Sequence, residues 1–305
     1  MEPDVCDYML EQELRLRAGG KFSTAGLCRA VQRQLRRFMG NRGLAFGEVT
    51  KSLVDEFTLY LHNEKLATNT VNSYLSNFRA IYNAAREAGL LEEGGKSPFA
   101  HLRLRREISV KRALSSQTIS ELARMQPSAG TETRRALDLF LFCFMACGMP
   151  FVDLAHLKWD NIVGKEIVYH RRKTGTRVQV TITPAMRLII RRYARAGSRY
   201  LFPILPEEGC SYERYKAILA RYNATLREIG SHLSHPVKLT SYVARHSWAT
   251  EALRQNTPIA VISQSLGHTS EKTTRIYLDS LDQSVLQKAN RKITRIVNDL
   301  IMGRA

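Results

Sequence analysis

Three side chains near the C-terminal end of the sequence combine types that suit attack on a phosphodiester. They are Arg245, His268 and Tyr277, in that order along the chain. A phenol can act as a nucleophile, while an arginine and a histidine can bind the phosphate oxygens and stabilise the developing charge. Each residue alone has an ordinary structural explanation, since buried tyrosines are common in cores and an Arg-His pair often lies at a helix end. The ordered set is what indicates a phosphoryl-transfer site.

The strong positive charge of the chain favours a polyanionic partner. The 305 residues include 46 Lys and Arg against 28 Asp and Glu, which gives a formal net charge of +18. Such an excess is typical of proteins that bind nucleic acid, because it neutralises phosphates. A ribosomal or membrane-surface protein would carry the same balance, so the charge narrows the class of partner without naming a function.

Length and apolar content indicate a globular protein that does not enter a membrane. At this length, 44% hydrophobic residues are enough for one large core or two ordinary ones. The N-terminal residues carry acids and lack the apolar segment of a signal peptide. The longest uncharged run, 139–152, is shorter than the roughly 18 residues that span a bilayer. We therefore expect a soluble, cytoplasmic protein with no membrane partner.

The five cysteines form an odd, scattered set without a C-x-x-C motif. This usage favours a reducing compartment over a disulfide scaffold. Cys143 and Cys147 share a helix face and His156 follows them, so a metal site is conceivable. The ligand set is incomplete, and buried core thiols are the preferred interpretation. The sequence therefore indicates neither a metal nor another cofactor.

The periodicity predicts a mainly α protein with two helical domains. Residues 1–91 read as helices, and an apolar stripe with the 3.6-residue repeat follows Thr68, a candidate helix cap. Residues 92–113 lose this periodicity and are basic, which is typical of an interdomain linker. Residues 114–305 form a larger domain that begins with a helix capped by Ser115. An earlier helix carries four arginines that either face phosphates or are simply solvated: Arg29, Arg33, Arg36 and Arg37.

Several predicted elements of the larger domain position the chemical residues. Alternating segments at 166–172 and 177–183 flank Lys173-Thr174-Gly175, which predicts a β-hairpin with Lys173 at its tip. A small antiparallel β-sheet is therefore expected in an otherwise helical domain. Further helices are predicted as follows: 151–159, 184–196, 212–229, 240–255, 258–266, 271–281 and 284–302.

With these motifs in place, the chain resembles the tyrosine recombinases, also called phage-type integrases. The resemblance covers essentially the whole chain, and its most specific part is the spacing from Leu-Gly-His to Tyr with Arg-His upstream. The sequences of the Pro150 and Tyr242 segments look like those of the branch carried by mobile elements and invertible loci of anaerobic gut bacteria. The matching segments are 239–250 (LTSYVARHSWAT), 266–268 (LGH), 273–277 (TTRIY), 173–175 (KTG) and 147–154 (CGMPFVDL).

The resemblance implies a site-specific DNA recombinase that needs neither metal nor ATP. Its 1–91 domain would be a SAM-like core-binding domain and its 114–305 domain the catalytic one. Tyr277 would attack the scissile phosphate and form a covalent 3′-phosphotyrosyl intermediate. Arg245 and His268 would bind that phosphate, and Lys173 would protonate the leaving 5′ oxygen.

The sequence departs from the family pattern at the first catalytic arginine. Pro150 stands at the expected place, and Cys147 stands where the branch often has an arginine instead. Losing a preorganised cation typically costs a few kcal/mol of transition-state stabilisation. The nearest candidates for a replacement are Arg171, Arg172 and Lys158.

A second departure lies one helical turn before Arg245. Tyr242 stands where the family has the histidine that opens its His-x-x-Arg-His string. A phenol can donate or accept a hydrogen bond but is a poor base at pH 7. His246 either orients Arg245 or serves only to pack its helix.

The resemblance also implies the partners. They are double-stranded DNA with inverted-repeat core sites, further copies of the chain in a homotetramer, and in some systems accessory DNA-bending proteins. The apolar stripe of the helix at 284–302 would pack on a neighbouring protomer, or within its own chain. From the sequence we expect no arm-binding domain before the first helix, which would favour an invertase or resolvase over an integrase that uses arm sites.

Two other functions fit the same sequence. A catalytically impaired DNA-binding or architectural protein of the same fold is favoured by Pro150 and Tyr242. A nicking enzyme like the type IB topoisomerases would share the chemistry but act without site preference. Salt-sensitive binding to DNA is expected of all three functions, and only covalent capture of a specific site distinguishes the recombinase.

Overall fold

The computed structural model describes residues 4–40, 42–91, 95–104, 107 and 113–278, with side chains up to residue 275. Over these residues the chain divides into two compact units, Met1–Ser109 and Val110–Ala305. Among the described residues, no helix is long and apolar enough to cross a membrane. The predicted helix at 284–302 lies outside the described residues.

Four helices build the first unit around one apolar core. Their bounds are Val5–Ala18 (α1), Phe22–Phe38 (α2), Lys51–Asn63 (α3) and Thr68–Glu87 (α4). The predicted apolar stripe of α4 is confirmed, since Val71, Leu75 and Phe78 are all buried. No specific sequence signal marks α1, because the exposed Leu14 and the buried Glu13 interrupt its amphipathic pattern.

The helix caps of this unit differ from the prediction. Thr68 was expected to cap α4, but Ala67 is the N-cap and Thr68 already has helical backbone geometry. The Thr68 hydroxyl instead donates to a carboxylate oxygen of Glu107 at 2.7 Å. At α3, Thr50 is the cap, and its hydroxyl accepts from the Leu53 amide at 3.2 Å. An N-cap hydroxyl of this kind satisfies an amide that has no partner within the helix.

Part of the segment predicted as a linker packs against α4. The ring of Phe99 is buried and meets the ring of Phe78 edge-on, with 5.1 Å between centroids. Further along, the side chain of Asn69 donates to the Glu107 carbonyl at 2.9 Å and accepts from the Glu107 amide at 3.2 Å. These contacts fix the described part of 95–107 on the first unit.

The second unit is mostly helical with one small sheet, as predicted from the sequence. Its elements are Ser116–Arg124 (α5), Glu132–Met145 (α6), Phe151–Ala155 (α7), Ile162–Val163 (β1), Glu166–His170 (β2), Arg177–Thr181 (β3), Pro184–Tyr193 (α8), Tyr212–Ser231 (α9), Val243–Arg254 (α10), Ile259–Leu266 (α11) and Glu271–Leu278 (α12). The strands pair antiparallel in the order β1-β2-β3. The predicted hairpin is confirmed, with His170 opposite Arg177 as the pair nearest its turn.

The apolar helix α6 lies at the centre of this unit and supports the helices that carry the chemical residues. Phe140 and Phe142 are fully buried, and the Phe142 ring packs edge-on against Phe202 at 4.8 Å between centroids. Both α9 and α10 pack against α6. The Ser247 hydroxyl on α10 accepts from the Leu114 amide at 2.9 Å, which fixes α10 to the start of the unit.

Two predicted caps are confirmed and some predicted helices are too long; the helix predicted over 184–196 ends at Tyr193, as α8. The Ser115 hydroxyl accepts from the amide of Thr118, and the Thr183 hydroxyl accepts from the amide of Met186. The helix predicted over 151–159 ends at Ala155, as α7. A separate short 3-10 turn, Trp159–Asn161, follows it.

Candidate active site

Arg245 lies near the start of α10 with only 2% of its surface exposed. Its Nη1 donates to the Gly148 carbonyl at 3.0 Å. Its Nη2 donates to the Leu266 carbonyl at 2.6 Å and to His268 Nε2 at 2.9 Å. Its Nε is buried without a hydrogen-bond partner among the described residues. The guanidinium is therefore held rigidly, yet it retains an unsatisfied donor, which costs free energy until a partner is supplied.

The loop before α7 brings its backbone against Arg245, and only glycine permits that approach. Gly148 has φ +68°, and a Cβ placed there would lie 2.8 Å from Arg245 Cα. Both the left-handed backbone and this contact exclude a side chain. Cys147 before it also has a positive φ of 54°, so the loop carries strain beside the site.

A second glycine ends α11 where the hairpin meets it. Gly267 is the left-handed C-cap residue, with φ 63° and ψ 41°. A Cβ there would lie 2.6 Å from Val178 Cγ2 and 3.0 Å from Arg171 Cγ. This cap leaves the Leu266 carbonyl at the helix C-terminus without an intrahelical donor, so it can accept from side chains.

Arg171, at the end of the β2 side of the hairpin, is the second buried arginine of the site. It is 7% exposed, and its Nε donates to Asp153 Oδ2 at 2.9 Å. Its Nη1 donates to the Leu266 carbonyl at 2.5 Å. The other oxygen of Asp153 accepts from the Arg172 amide at 2.8 Å. Asp153 on α7 thus anchors the hairpin and orients Arg171.

Arg171 and Arg245 donate to the same carbonyl oxygen, that of Leu266. Burial, and then the positive charge of Arg171, lowers the pKa of Arg245 to about 10, so the guanidinium stays protonated at neutral pH. Among the described residues, the carboxylate that contacts this cluster is Asp153, which pairs with Arg171. One carboxylate beside two guanidinium groups leaves the cluster with a net positive charge. The site is partly buried and carries excess positive charge, and a helix-end carbonyl holds its two arginines. Such a site is suited to bind an anion.

His268 follows α11 and completes this cluster. Burial, and then the charges of Arg245, Arg171 and Lys173, lowers its pKa to about 4, so the imidazole is neutral at pH 7. An arginine N–H can only donate, so Nε2 of His268 accepts from Arg245. We therefore assign the proton to Nδ1, which donates to the Thr274 hydroxyl at 2.7 Å.

Lys173 lies exposed in the tight turn of the hairpin. The Arg171 amide donates to the Thr176 carbonyl at 2.8 Å, and the Gly175 amide donates to the Arg171 carbonyl at 2.7 Å. This turn places the ammonium close enough to His268 to depress the pKa of its imidazole. Lys173 is therefore a cation at the rim of the site.

Tyr242 and His246 lie beside Arg245 on the solvent side of the helix start. Tyr242 is the N-cap residue of α10 and is 46% exposed. Its ring meets the ring of His246 edge-on, with 4.9 Å between centroids. The aromatic pair thus flanks the helix turn that carries the buried guanidinium.

Tyr277 lies on α12, three residues after the buried Thr274. Its side chain is outside the described residues, so its role stays a prediction. The helix that carries it packs against both α10 and α11. The backbone of Tyr277 is therefore on the element adjacent to Arg245 and His268.

Of the three cations considered as replacements at the first arginine position, Arg171 is the one that shares a hydrogen-bond acceptor with Arg245. The side chains of Arg172 and Lys158 are exposed. Pro150 is the N-cap residue of α7, and its carbonyl accepts from the Asp153 amide at 3.0 Å. The residue at the place of the missing arginine therefore positions the carboxylate that holds Arg171, a connection that no sequence spacing reveals.

The thiols considered for a metal site lie in or near the core. Cys143 is buried, and burial raises the pKa of the partly buried Cys147 to about 11. The Nδ1 of His156 pairs with the Val152 carbonyl at 2.8 Å. Within the part of the chain that the structure describes, no group of three or more His, Cys, Asp and Glu side chains could hold a metal ion.

The four arginines of α2 in the first unit are all exposed. Two of them form ion pairs with acids of α1: Arg29 with Glu13 at 3.4 Å, and Arg36 with Asp7 at 2.8 Å. Glu13 is buried, whereas the Arg36–Asp7 pair is exposed; an exposed ion pair contributes little to stability, so Arg36 can exchange its carboxylate for a phosphate. The surface remains a candidate for contact with a nucleic-acid backbone.

Comparisons with known proteins match both units. The family model described as the phage integrase SAM-like domain matches residues 4–99, and that of the phage integrase family matches residues 113–284. A tyrosine recombinase of Thermosipho africanus is 22% identical over 267 residues, covering 84% of this chain and 89% of that protein. The integrase of Escherichia phage P2 is 23% identical over 230 residues, covering 75% of this chain and 61% of that protein.

Solved structures show the same fold. The Tn1549 transposon integrase in complex with a circular intermediate DNA has a TM-score of 0.66 at 15% identity, covering 94% of this chain and 99% of that one. A lambda integrase dimer bound to a COC′ core site has a TM-score of 0.65 at 15% identity, with coverages of 89% and 94%. A lambda integrase tetramer bound to a Holliday junction has a TM-score of 0.60 at 14% identity, with coverages of 88% and 76%.

Proposed function

Since this chain belongs to the phage integrase family and is a site-specific tyrosine recombinase, we propose that Arg171, Arg245, His268, Lys173 and Tyr277 form its catalytic site. The observation that carries this assignment is the shared Leu266 carbonyl, which holds two buried guanidinium groups, of which only that of Arg171 is paired with a carboxylate, Asp153. A phosphodiester supplies the missing negative charge.

In the proposed reaction, the Tyr277 phenol oxygen attacks the scissile phosphorus and the bond from phosphorus to the 5′ oxygen breaks. The product is a 3′-phosphotyrosyl bond and a free 5′ hydroxyl. The phenol has an ordinary pKa near 10. The net positive charge of the cluster favours the phenolate, whose proton passes to solvent. Rejoining is the reverse reaction, with a 5′ hydroxyl of the partner strand as nucleophile.

Arg245 and Arg171 bind the non-bridging oxygens and stabilise the charge that gathers on the phosphorane. A preorganised donor of this kind is worth about 2.7–4 kcal/mol. The buried Nε of Arg245 gains a partner when the guanidinium adjusts around a phosphate. Arg171 thereby takes the role of the arginine that Pro150 replaces.

Lys173 and His268 act on the remaining oxygens. Lys173, exposed at the tip of the hairpin, donates a proton to the leaving 5′ oxygen. Neutral His268 donates a hydrogen bond to the phosphate without adding charge. Tyr242 and His246 flank Arg245 and limit its movement, with their paired rings covering the helix start.

The partner is DNA, and we propose that its target is a pair of core sites with inverted repeats, bound by a homotetramer through the helix predicted at 284–302. In this proposal residues 1–91 form the core-binding domain, 92–113 the linker and 114–305 the catalytic domain. Accessory DNA-bending proteins are a further proposed partner. Since it acts on DNA, we place the protein in the cytoplasm.

The experiment uses a nicked duplex that carries the inverted repeats flanking the protein's own gene. Cleavage beside the nick releases a short fragment and traps the covalent complex as a band on a denaturing gel. We expect a band with the native protein and none with Tyr277→Phe. Salt-sensitive, specific binding without a band would instead support the architectural function, and relaxation of plasmid DNA without a core site would support the topoisomerase-like one.

A further inference from the structure

One buried hydroxyl beside His268 has no part in the reaction described so far. Thr274 is fully buried on α12, and its Oγ1 lies 2.7 Å from His268 Nδ1. The bond joins the loop after α11 to α12, the helix that carries Tyr277 three residues further on. Burying a polar side chain costs free energy of folding unless a hydrogen bond compensates for the lost water contacts.

We propose that Thr274 is a positioning residue that hydrogen-bonds His268 in either tautomer and couples the phosphate-binding cluster to the helix of the nucleophile. This inference rests on the roles proposed for His268 and Tyr277. It assigns to Thr274 no contact with DNA.

The hydrogen-bond directions explain why a hydroxyl is needed. In the free protein His268 Nε2 accepts from Arg245, so Nδ1 carries the proton and Thr274 accepts it. When a phosphate takes over the donors of Arg245, Nε2 must become a donor to an oxygen. Nδ1 then becomes an acceptor, and a hydroxyl can rotate to donate to it. An ionised carboxylate or an apolar group could not serve both states.

The same bond fixes the relative position of two elements. His268 is held from one side by Arg245 on α10 and from the other by Thr274 on α12. Thr274 lies about one helical turn before Tyr277, so a displacement of Thr274 displaces the backbone of the nucleophile. Misplacement of reacting groups by about 1 Å can cost a hundredfold in rate.

The test compares three substitutions. Thr274→Val keeps the shape and removes the hydrogen bond, Thr274→Ser keeps the hydroxyl, and Thr273→Val changes the exposed neighbour on the same helix. The substrate is a nicked duplex with the sequence that the protein selects from a random library. We expect Thr274→Val to slow single-turnover covalent capture at least about tenfold. Thr274→Ser and Thr273→Val should remain within about threefold of the native rate.

Two further readouts separate positioning from a general loss of structure. In the free native protein labelled with ¹⁵N-histidine, His268 should show a protonated Nδ1 and an unprotonated Nε2, with its signals identified by their loss in His268→Ala. Thr274→Val should shift the Nδ1 signal, because the Nδ1 proton loses its acceptor, and Thr274→Ser should keep it. In a His268→Ala background, Thr274→Val should add little further loss of rate, since coupled residues are not additive.

Capture by Thr274→Val at the native rate, equal losses for the Val and Ser variants, or full additivity with His268→Ala would each overturn the inference. A protonated Nε2 in the free native protein would do so as well, and it needs no variant that folds poorly. If the native protein itself forms no covalent complex, the proposed function fails, while the tautomer measurement still tests the contact between Thr274 and His268.

Discussion

Replacing Arg171 tests whether this arginine supplies the cation that Pro150 does not. The substitution Arg171→Ala removes two kinds of interaction at once. It leaves the buried Asp153 carboxylate without its ion-pair partner. Asp153 is 3% exposed, and the hydrogen-bond donor that it keeps among the described residues is the Arg172 amide. It also removes one of the two guanidinium groups bonded to the Leu266 carbonyl. The first loss acts on stability and the second on the rate of cleavage.

Both magnitudes follow from the burial of the pair. Breaking a buried ion pair by removing one partner costs about 3–5 kcal/mol of folding stability. The double variant Arg171→Ala/Asp153→Asn removes the stranded charge and should recover part of that loss. Removing a preorganised donor from a transition state costs about 2.7–4 kcal/mol, which slows the reaction by about 10²–10³-fold. The double variant should therefore regain stability without regaining cleavage.

The assay is single-turnover cleavage of the nicked duplex, with DNA affinity and thermal unfolding measured on the same preparations. Arg172→Ala is the matched control, because its exposed side chain is adjacent in sequence and its amide still holds Asp153. Arg171→Lys keeps the charge but cannot donate to Asp153 and Leu266 in the same fork geometry, so it should restore only part of the rate.

One pattern of results would refute the reasoning. If folded Arg171→Ala cleaves at the native rate while Arg172→Ala or Lys158→Ala is slow, the shared carbonyl is a structural contact and the phosphate is bound by an exposed cation. Loss of DNA affinity without loss of the cleavage rate at saturating DNA would likewise remove Arg171 from the transition state.

Three more predictions concern the same region and the chain as a whole. Gly148→Ala should lower the free energy of unfolding by more than Gly164→Ala. Both glycines have a positive φ, so each alanine costs about 1–2 kcal/mol in backbone strain, but only at Gly148 would the new Cβ meet the backbone of Arg245. Equal values in chemical denaturation would contradict this. His268 has the ordinary histidine pKa of about 6.5 in the unfolded chain and a pKa of about 4 in the folded chain. Between these values the unfolded chain binds the proton more readily, so the free energy of unfolding should fall as the pH is lowered from 7 to 4. His268→Gln should reduce that fall and the exposed control His62→Gln should not, by thermal unfolding at each pH. Binding to a DNA duplex should weaken by roughly 10³–10⁵ between about 50 and 200 mM salt if six to ten phosphates are contacted, and a nearly flat double-logarithmic plot would argue against the proposed partner.

Local chemistry explains which elements the sequence predicts well. The stripe of Val71, Leu75 and Phe78 has a helical repeat, and Ser115 and Thr183 precede helices as hydroxyl caps do. Each of these signals lies within a few residues of the structure that it specifies. Boundaries were less predictable: Thr68 was expected as a cap, but its hydroxyl instead bonds Glu107, 39 positions away.

The chemical types proposed for the site and their order could be predicted from the sequence alone, because Arg245, His268, Tyr277 and the Lys173 turn stand in short motifs whose spacing follows helix and hairpin geometry. Which of Arg171, Arg172 and Lys158 lies beside Arg245 depends on tertiary contacts. Arg171 makes two such contacts, one with the Asp153 carboxylate on α7 and one with the Leu266 carbonyl at the end of α11, and these residues lie 18 and 95 positions from it in the chain. Contacts over such separations arise from packing, where two glycines let backbones approach Arg245 and Arg171 closely enough to bury their charge.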